Sequence, residues 1–271
     1  MEAKAMIFYF TATGNSKFVA EKIAAATGSA ATGEAATNAA VTGDAVINMA
    51  TCVQNEEYSF ELREDEKLGI IVPIYFYGIP IIAAEFLNKL KITGAREFYA
   101  YAVLNCGGAT GDAGRFIISN SAVRISAIFG IKTVDNYVPM YKTASETKIN
   151  EQLDNAEKEI EQIARRINNR EIGLFNPAAG FLPGLMTFLF YSRYIKGRKT
   201  NKFTVSNKCN GCGLCREICP RRIIKLKNNK PVWSAPACEL CLGCLHRCPT
   251  AAIDYGNTAD RGRYLNPRVR W

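Results

Sequence analysis

At 271 residues the chain is long enough for two domains, and its net charge of +9 is unevenly placed. Residues 1–170 carry 17 basic and 20 acidic side chains, net −3, whereas residues 171–271 carry 17 and 5, net +12. No nucleic-acid-binding motif accompanies the basic half, which argues against a nucleic-acid partner, and no secretory signal opens the chain, which argues against a disulfide-stapled secreted fold.

Residues 6–10, Met-Ile-Phe-Tyr-Phe, form a short apolar run of the kind found in a buried parallel strand. The loop Thr11-Ala12-Thr13-Gly14-Asn15-Ser16 follows, and then an amphipathic helix over 17–26 with Gly28 as its stop. Hydroxyls and loop amides converging at a helix N-terminus bind a phosphate. The loop holds no lysine and the chain has no GxxxxGK[ST], which disfavours ATP and favours a terminal monophosphate. The plainer alternative is a β–α turn whose Ser and Thr cap the helix. Residues 28–46 are rich in Ala, Thr and Gly and predict an expanded surface loop.

A second strand is expected over 68–72, leading into Pro73-Ile74-Tyr75-Phe76-Tyr77-Gly78. Three consecutive aromatics at a strand end cannot all face inward, and they suit a flat ring that stacks on them, or else form a partly buried aromatic cluster. A third strand over 98–104 ends in Asn105-Cys106-Gly107-Gly108-Ala109-Thr110-Gly111-Asp112. Glycines here let backbone approach a ring edge, while the GxGxxG spacing of a dinucleotide fingerprint is absent. A late strand is expected over 131–140 and a charge-paired helix over 148–168. The three loops would open at the carboxyl ends of strands, where open α/β sheets bind ligands.

Residues 172–192 run 21 positions without a charge, long enough to cross a bilayer, but Asn176, Pro177, Gly180, Pro183 and Gly184 interrupt them. A short apolar helix is expected over 185–191, with Arg193, Lys196, Arg198, Lys199 and Lys202 directly after it. This connector reads as an interdomain segment packed on the first domain or over the cysteine-rich end, with a peripheral membrane contact as the alternative.

Eight of the ten cysteines fall into two C-x2-C-x2-C-x3-C-P runs: Cys209, Cys212, Cys215 and Cys219, then Cys238, Cys241, Cys244 and Cys248. That spacing holds a pair of [4Fe–4S] clusters, with the fourth cysteine of each run ligating the other cluster. One cluster would take Cys209, Cys212, Cys215 and Cys248, the other Cys238, Cys241, Cys244 and Cys219. Zinc sites instead pair two ligands with two distant ones. A segment this short cannot build a large apolar core, so the clusters would staple it. His246, the sole histidine, is expected to pack beside the cysteines, and Cys52 to be a free buried thiol. The basic charge either offsets the anionic clusters or forms a docking face for an acidic redox partner.

Residues 5–170 resemble a flavodoxin: the loop at Thr11–Ser16 is similar to its phosphate loop, and Tyr75-Phe76-Tyr77 and Asn105-Cys106-Gly107-Gly108 to its two flavin loops. Residues 203–256 resemble a bacterial two-cluster ferredoxin, and the tail Arg261-Gly262-Arg263-Tyr264-Leu265-Asn266-Pro267 resembles the family that fuses the two. The resemblance implies a doubly wound parallel five-stranded sheet of order 2-1-3-4-5 over 1–170, a connector over 171–202, and a small α+β domain over 203–271. It implies FMN and two [4Fe–4S] clusters, with Pro73, Ile74, Gly78, Gly111 and Asp112 completing the flavin loops. The expected function is electron transfer between clusters and FMN in an anaerobic or reducing cytoplasm, with an acidic ferredoxin, flavodoxin or reductase as partner. The alternative is a ferredoxin-dependent flavin reductase acting on a small oxidised substrate. A homodimer is compatible with either. Cys106 stands where relatives more often have an aromatic, and the basic ferredoxin half contrasts with free ferredoxins, which are usually acidic.

Overall fold

A computed structural model describes residues 5–28 and 46–271; the loop expected over 28–46 lies outside the described residues except for its two ends. The first half runs β1 (Ala5–Tyr9), α1 (Asn15–Ala26), β2 (Val46–Asn48), α2 (Met49–Asn55), β3 (Ser59–Leu62) and β4 (Lys67–Pro73). It continues with α3 (Ile81–Lys89), β5 (Lys91–Gly94), β6 (Tyr99–Cys106), α4 (Ala113–Asn120), β7 (Ala127–Lys132) and α5 (Glu146–Asn168). The connector contributes β8 (Gly173–Phe175) and α6 (Pro183–Gly197). The cysteine-rich half holds β9 (Phe203–Val205), α7 (Leu214–Glu217), β10 (Ile224–Lys227), β11 (Lys230–Trp233), α8 (Gly243–His246) and β12 (Ile253–Tyr255).

The main sheet is parallel throughout, in the order β2-β1-β4-β6-β7-β8. Its first five strands have the expected 2-1-3-4-5 order, and β8, drawn from the connector, adds a sixth strand at the edge. Every residue of β6 is buried, as a central strand covered by helices on both faces requires. Alternate side chains split between two cores. Ile7, Tyr101, Val103 and Phe129 pack against Phe18 and Ile23 of α1 and Leu153 and Ile160 of α5. Phe8, Ile70, Ala102 and Leu104 pack on the other face against Met49, Ile82, Phe86 and Ile117 from α2, α3 and α4. Order reverses between β1 and β4, so their carboxyl ends open a crevice.

The late strand differs from its expected bounds. β7 ends at Lys132, and residues 133–141 form a loop. The β-branched residues there imitate a strand, but Asp135, Asn136 and Pro139 do not continue one.

In the second half β9 pairs with β12 and β10 with β11, both antiparallel. The β10–β11 turn places Asn228 and Asn229 at φ 51° and 58°, the left-handed pair that a two-residue hairpin demands. Its core includes Cys215, Cys219, Cys244, Leu245 and Ile253, and it extends without a break to Tyr75, Phe76, Ile81 and Tyr137 of the first half.

Candidate functional site

At the end of β1, Gly14 adopts φ 98° and starts α1 with no side chain capping it. The first amides of α1 are thus left to a ligand. Gly14 N–H donates to Thr11 Oγ1 (3.0 Å), Asn136 Nδ2 to Thr13 Oγ1 (2.6 Å) and Asn105 Nδ2 to Ser16 Oγ (3.2 Å). A hydroxyl has one hydrogen and two lone pairs. Each of the three spends a lone pair on the protein and keeps its hydrogen to donate. Thr133 Oγ1 donates to Asn105 Oδ1 (2.6 Å), which fixes the Asn105 amide toward Ser16.

The back of this loop is held from the far end of the chain. Tyr264 OH donates to Asn15 Oδ1 (2.5 Å), Asn266 Nδ2 to the same oxygen (3.1 Å), and Asn266 N–H to the Thr13 carbonyl (2.8 Å). A Cβ on Gly14 would lie 3.0 Å from Asn266 Cβ and 3.1 Å from Trp271 Cζ2, so the tail seats directly on the glycine.

A cavity of about 620 Å³ opens at these strand ends. Thr11, Ala12, Thr13, Asn15, Ser16, Pro73, Ile74, Tyr75, Phe76, Tyr77, Asn105, Cys106, Gly107 and Gly108 line it, so all three loops singled out in the sequence meet there. Gly14, Gly78, Gly111 and Asp112 lie outside the lining. Gly78 exchanges backbone hydrogen bonds with Tyr75, and a Cβ on Gly111 would come within 2.6 Å of Thr187 Oγ1. Asp112 N–H donates to Thr187 Oγ1 (2.9 Å) and joins α4 to α6. Sequence reasoning missed three further walls: the 133–141 loop with Val134, Asp135, Asn136 and Tyr137; Phe190, Arg193 and Tyr194 of α6; and Leu240, Cys241 and Leu242 of the cysteine-rich half.

The Tyr75–Gly78 hydrogen bonds (2.9 and 3.1 Å) close a turn with Phe76 at φ 51° and Tyr77 at φ 66°. Bulky residues reach this region only at a cost, of about 1–3 kcal/mol each. Packing holds them. Phe76 meets Tyr137 edge-on at 5.2 Å and stacks on Tyr194 at 6.3 Å, and Tyr77 meets Phe190 at 5.6 Å.

Burial pushes the Cys52 and Cys106 thiols up to about 12 from 9.0, with Glu57 adding to the first, and with Lys132 opposing and Asp135 and Glu159 adding at the second. Both are expected to resist iodoacetamide at neutral pH in the folded protein, as peptide mass spectrometry would read. The folded state holds these protons more tightly than the unfolded chain. Their contribution to stability is intact below 9.0 and is lost as pH rises toward about 12.

The eight run cysteines gather in crossed sets. Burial first, and then Cys212, Cys248 and Cys209, push the Cys215 thiol up to about 11 against a backbone amide at Arg216. Burial and the neighbouring Cys241, Cys238, Cys219 and Cys215 hold Cys244 well above its ordinary range. Cys248 goes the other way: burial opposes its thiolate, but the amides of Ala252, Thr250 and Ile253 and the Thr250 hydroxyl outweigh that and lower its pKa. Leu240 N–H likewise donates to Cys238 Sγ (3.2 Å) and Ala252 N–H to Cys248 Sγ (3.3 Å). Among the described residues no three His, Cys, Asp or Glu side chains close round a single ion. A cubane spreads its thiolates wider than one ion does.

His246 is buried beside them and bonded on both ring nitrogens. Nε2 lies 3.0 Å from the Asn136 carbonyl, and Tyr264 N–H donates to Nδ1 (3.1 Å). This pattern fixes the Nε2–H tautomer, and burial lowers the pKa to about 4. The ring packs the cysteine-rich half against the 133–141 loop and the tail.

Residues 208–253 match the family described as the 4Fe-4S dicluster domain. No curated protein matches the chain. The chain is similar to the rubredoxin:oxygen oxidoreductase of the anaerobe Desulfovibrio gigas, with 12% identity, a TM-score of 0.34, and coverage of 62% of this chain and 36% of that one. The chain therefore spans little more than a third of that oxidoreductase. An azoreductase from Bacillus anthracis is 12% identical over 60% of this chain and 99% of its own, with a TM-score of 0.31. Likenesses this distant carry no functional argument, and the fold is read from the strand order. The protein is an α/β chain carrying an iron–sulfur domain. More narrowly, its architecture is that of a flavodoxin-like sheet fused to a 4Fe-4S dicluster domain.

Proposed function

We propose that the chain is an electron-transfer iron–sulfur flavoprotein, with FMN in the 620 Å³ cavity and two [4Fe–4S] clusters on the crossed cysteine sets. The observation that carries this reading is Cys241, a run cysteine that is also a wall of the cavity. Bound there, the clusters would supply one-electron carriers and FMN a group that handles one electron or two. Thr11, Thr13, Ser16 and the uncapped start of α1 suit a monophosphate. Tyr75, Phe76, Tyr137 and Tyr194 keep water from the wall shared with Cys241. The amides of Leu240 and Ala252, donating to Cys238 and Cys248, stabilise thiolate charge. The basic half, net +12, supports an acidic ferredoxin, flavodoxin or reductase as partner.

The test is an anaerobic titration of the purified protein with a reduced low-potential ferredoxin, followed by absorbance. Bleaching of the clusters and then of the flavin supports the reading; cluster reduction with an unchanged or absent flavin signal overturns it. A second reading, a ferredoxin-dependent reductase of a small oxidised substrate at FMN, is favoured by the cavity mouth. Exposed Met140, Tyr141 and Arg193 border it, which leaves an entrance. Steady turnover with a small acceptor would select that reading.

Gly107 sets how closely its loop meets the 133–141 loop. A Cβ there would lie 2.5 Å from Asp135 Cβ and 2.6 Å from Asp135 Cα, so Gly107→Ala must push the 133–141 loop aside. The expected cost is about 1–3 kcal/mol. Where it falls on the bound form, FMN affinity by fluorescence quenching drops about tenfold.

A further inference from the structure

Helix α6 is amphipathic in the wrong sense. Thr187, Tyr191 and Tyr194 face the fold, where Tyr191 OH donates to the Ile79 carbonyl (2.8 Å) and Tyr194 OH to Glu239 Oε1 (2.9 Å). The opposite face stands in solvent and is apolar: Phe188 is 78% exposed, Leu185 and Leu189 are exposed beside it, and Phe181 (84%) and Leu182, just before the helix, extend the patch. The spacing 182, 185, 189 continues through Arg193 and Lys196, so one stripe is apolar for its first turns and basic at its end. Patches of this kind mark contact sites.

The charge pattern selects the occupant. Residues 172–202 contain five cations and no acid: Arg193 and Lys196 lie on the stripe, Lys199 and Lys202 follow it exposed, and Arg198 turns inward, its Nη1 donating to the Cys238 carbonyl (2.9 Å). A second copy meeting this face antiparallel about a two-fold axis would lay the basic end of one stripe on the apolar end of the other, with no acid in 172–202 to pair with either set of cations. A transient redox partner makes a small contact and leaves no use for five large exposed apolar side chains within nine residues. Apolar side chains flanked by basic ones fit the interface of a bilayer with anionic headgroups. No helix among the described residues is long and apolar enough to cross a membrane, so the contact is with the surface. We propose that α6 docks the protein on bilayers rich in anionic phospholipid. Phe190 and Arg193 also line the 620 Å³ cavity, so docking holds its mouth beside the lipid. The docking itself does not rest on which cofactors are bound.

The test is flotation of the full chain with vesicles of phosphatidylcholine alone and of phosphatidylcholine with phosphatidylglycerol in equal parts. Binding to the mixed vesicles only, weakened by salt, is the expected result. Phe181→Ser with Phe188→Ser is expected to abolish it, and Lys196→Gln and Lys199→Gln to weaken it about fivefold each. Unchanged far-ultraviolet dichroism and melting would show that these exposed substitutions leave the fold intact. Absence of flotation, or equal flotation of wild type and the double serine variant, overturns the proposal. A dimer that the serine variant dissociates, without vesicle binding, overturns it in favour of a second copy.

Discussion

Replacing Cys241 with alanine is expected to cut iron from about eight per chain toward four and to slow flavin reduction by at least about 100-fold. Cys241 does two jobs in the proposed reading. It is one of the four thiols of the second set, and it walls the cavity that would hold FMN. Cys209, by contrast, belongs to the first set and is not among the residues that line the cavity. Cys209→Ala is expected to remove iron to a similar extent while leaving flavin reduction by dithionite close to wild type. Iron analysis with anaerobic stopped-flow mixing separates the two. Flavin reduction at the wild-type rate in the Cys241 variant would show that electrons do not pass this wall.

Arg221→Ala is expected to cost about 3–5 kcal/mol in denaturant unfolding. Glu239 is 1% exposed, and its carboxylate accepts from Arg221 Nε (2.9 Å), Tyr194 OH (2.9 Å) and Ile82 N–H (2.9 Å). Arg221 also bonds Glu85 Oε2 (2.6 Å). Burial works against the Arg221 charge, but Glu239 and Glu85 outweigh it and raise its pKa. The carboxylate thus joins α3, α6 and both cysteine runs at one buried point. Removing the guanidinium strands its charge in the interior, whereas Glu239→Gln keeps neutral partners and is expected to cost less, about 1–3 kcal/mol. A loss below about 1 kcal/mol for Arg221→Ala would mean that the charge finds water or another cation.

The features legible in the sequence are those written in consecutive residues. Cluster spacing is local, so both cysteine runs stood out, and the structure brings Cys248 to Cys209, Cys212 and Cys215 across the fold. The hydroxyl loop after β1 and the aromatic loop after β4 were legible for the same reason. The 133–141 wall was not, because Ile131, Thr133, Val134 and Val138 imitate a continuing strand. Apolar composition in the connector implied burial, yet α6 buries only Thr187 and Tyr194 fully, and it runs to Gly197 rather than stopping near 191. β8 was hidden in the same stretch, since three residues carry no periodicity. The part played by Tyr264 and Asn266 had no local signal at all: their bonds to Asn15 span 249 and 251 positions.

Those long bonds bear on how the molecule is made. The loop at 11–16 leaves the ribosome early, but its backing arrives only after the whole cysteine-rich half has been synthesised. That half is small, and in the proposed reading metal holds it together. A chain made in a cell short of iron would therefore present residues 264–271 poorly, and the start of α1 would lose the support of Tyr264, Asn266 and Trp271. In that reading iron supply would also govern how firmly FMN is retained.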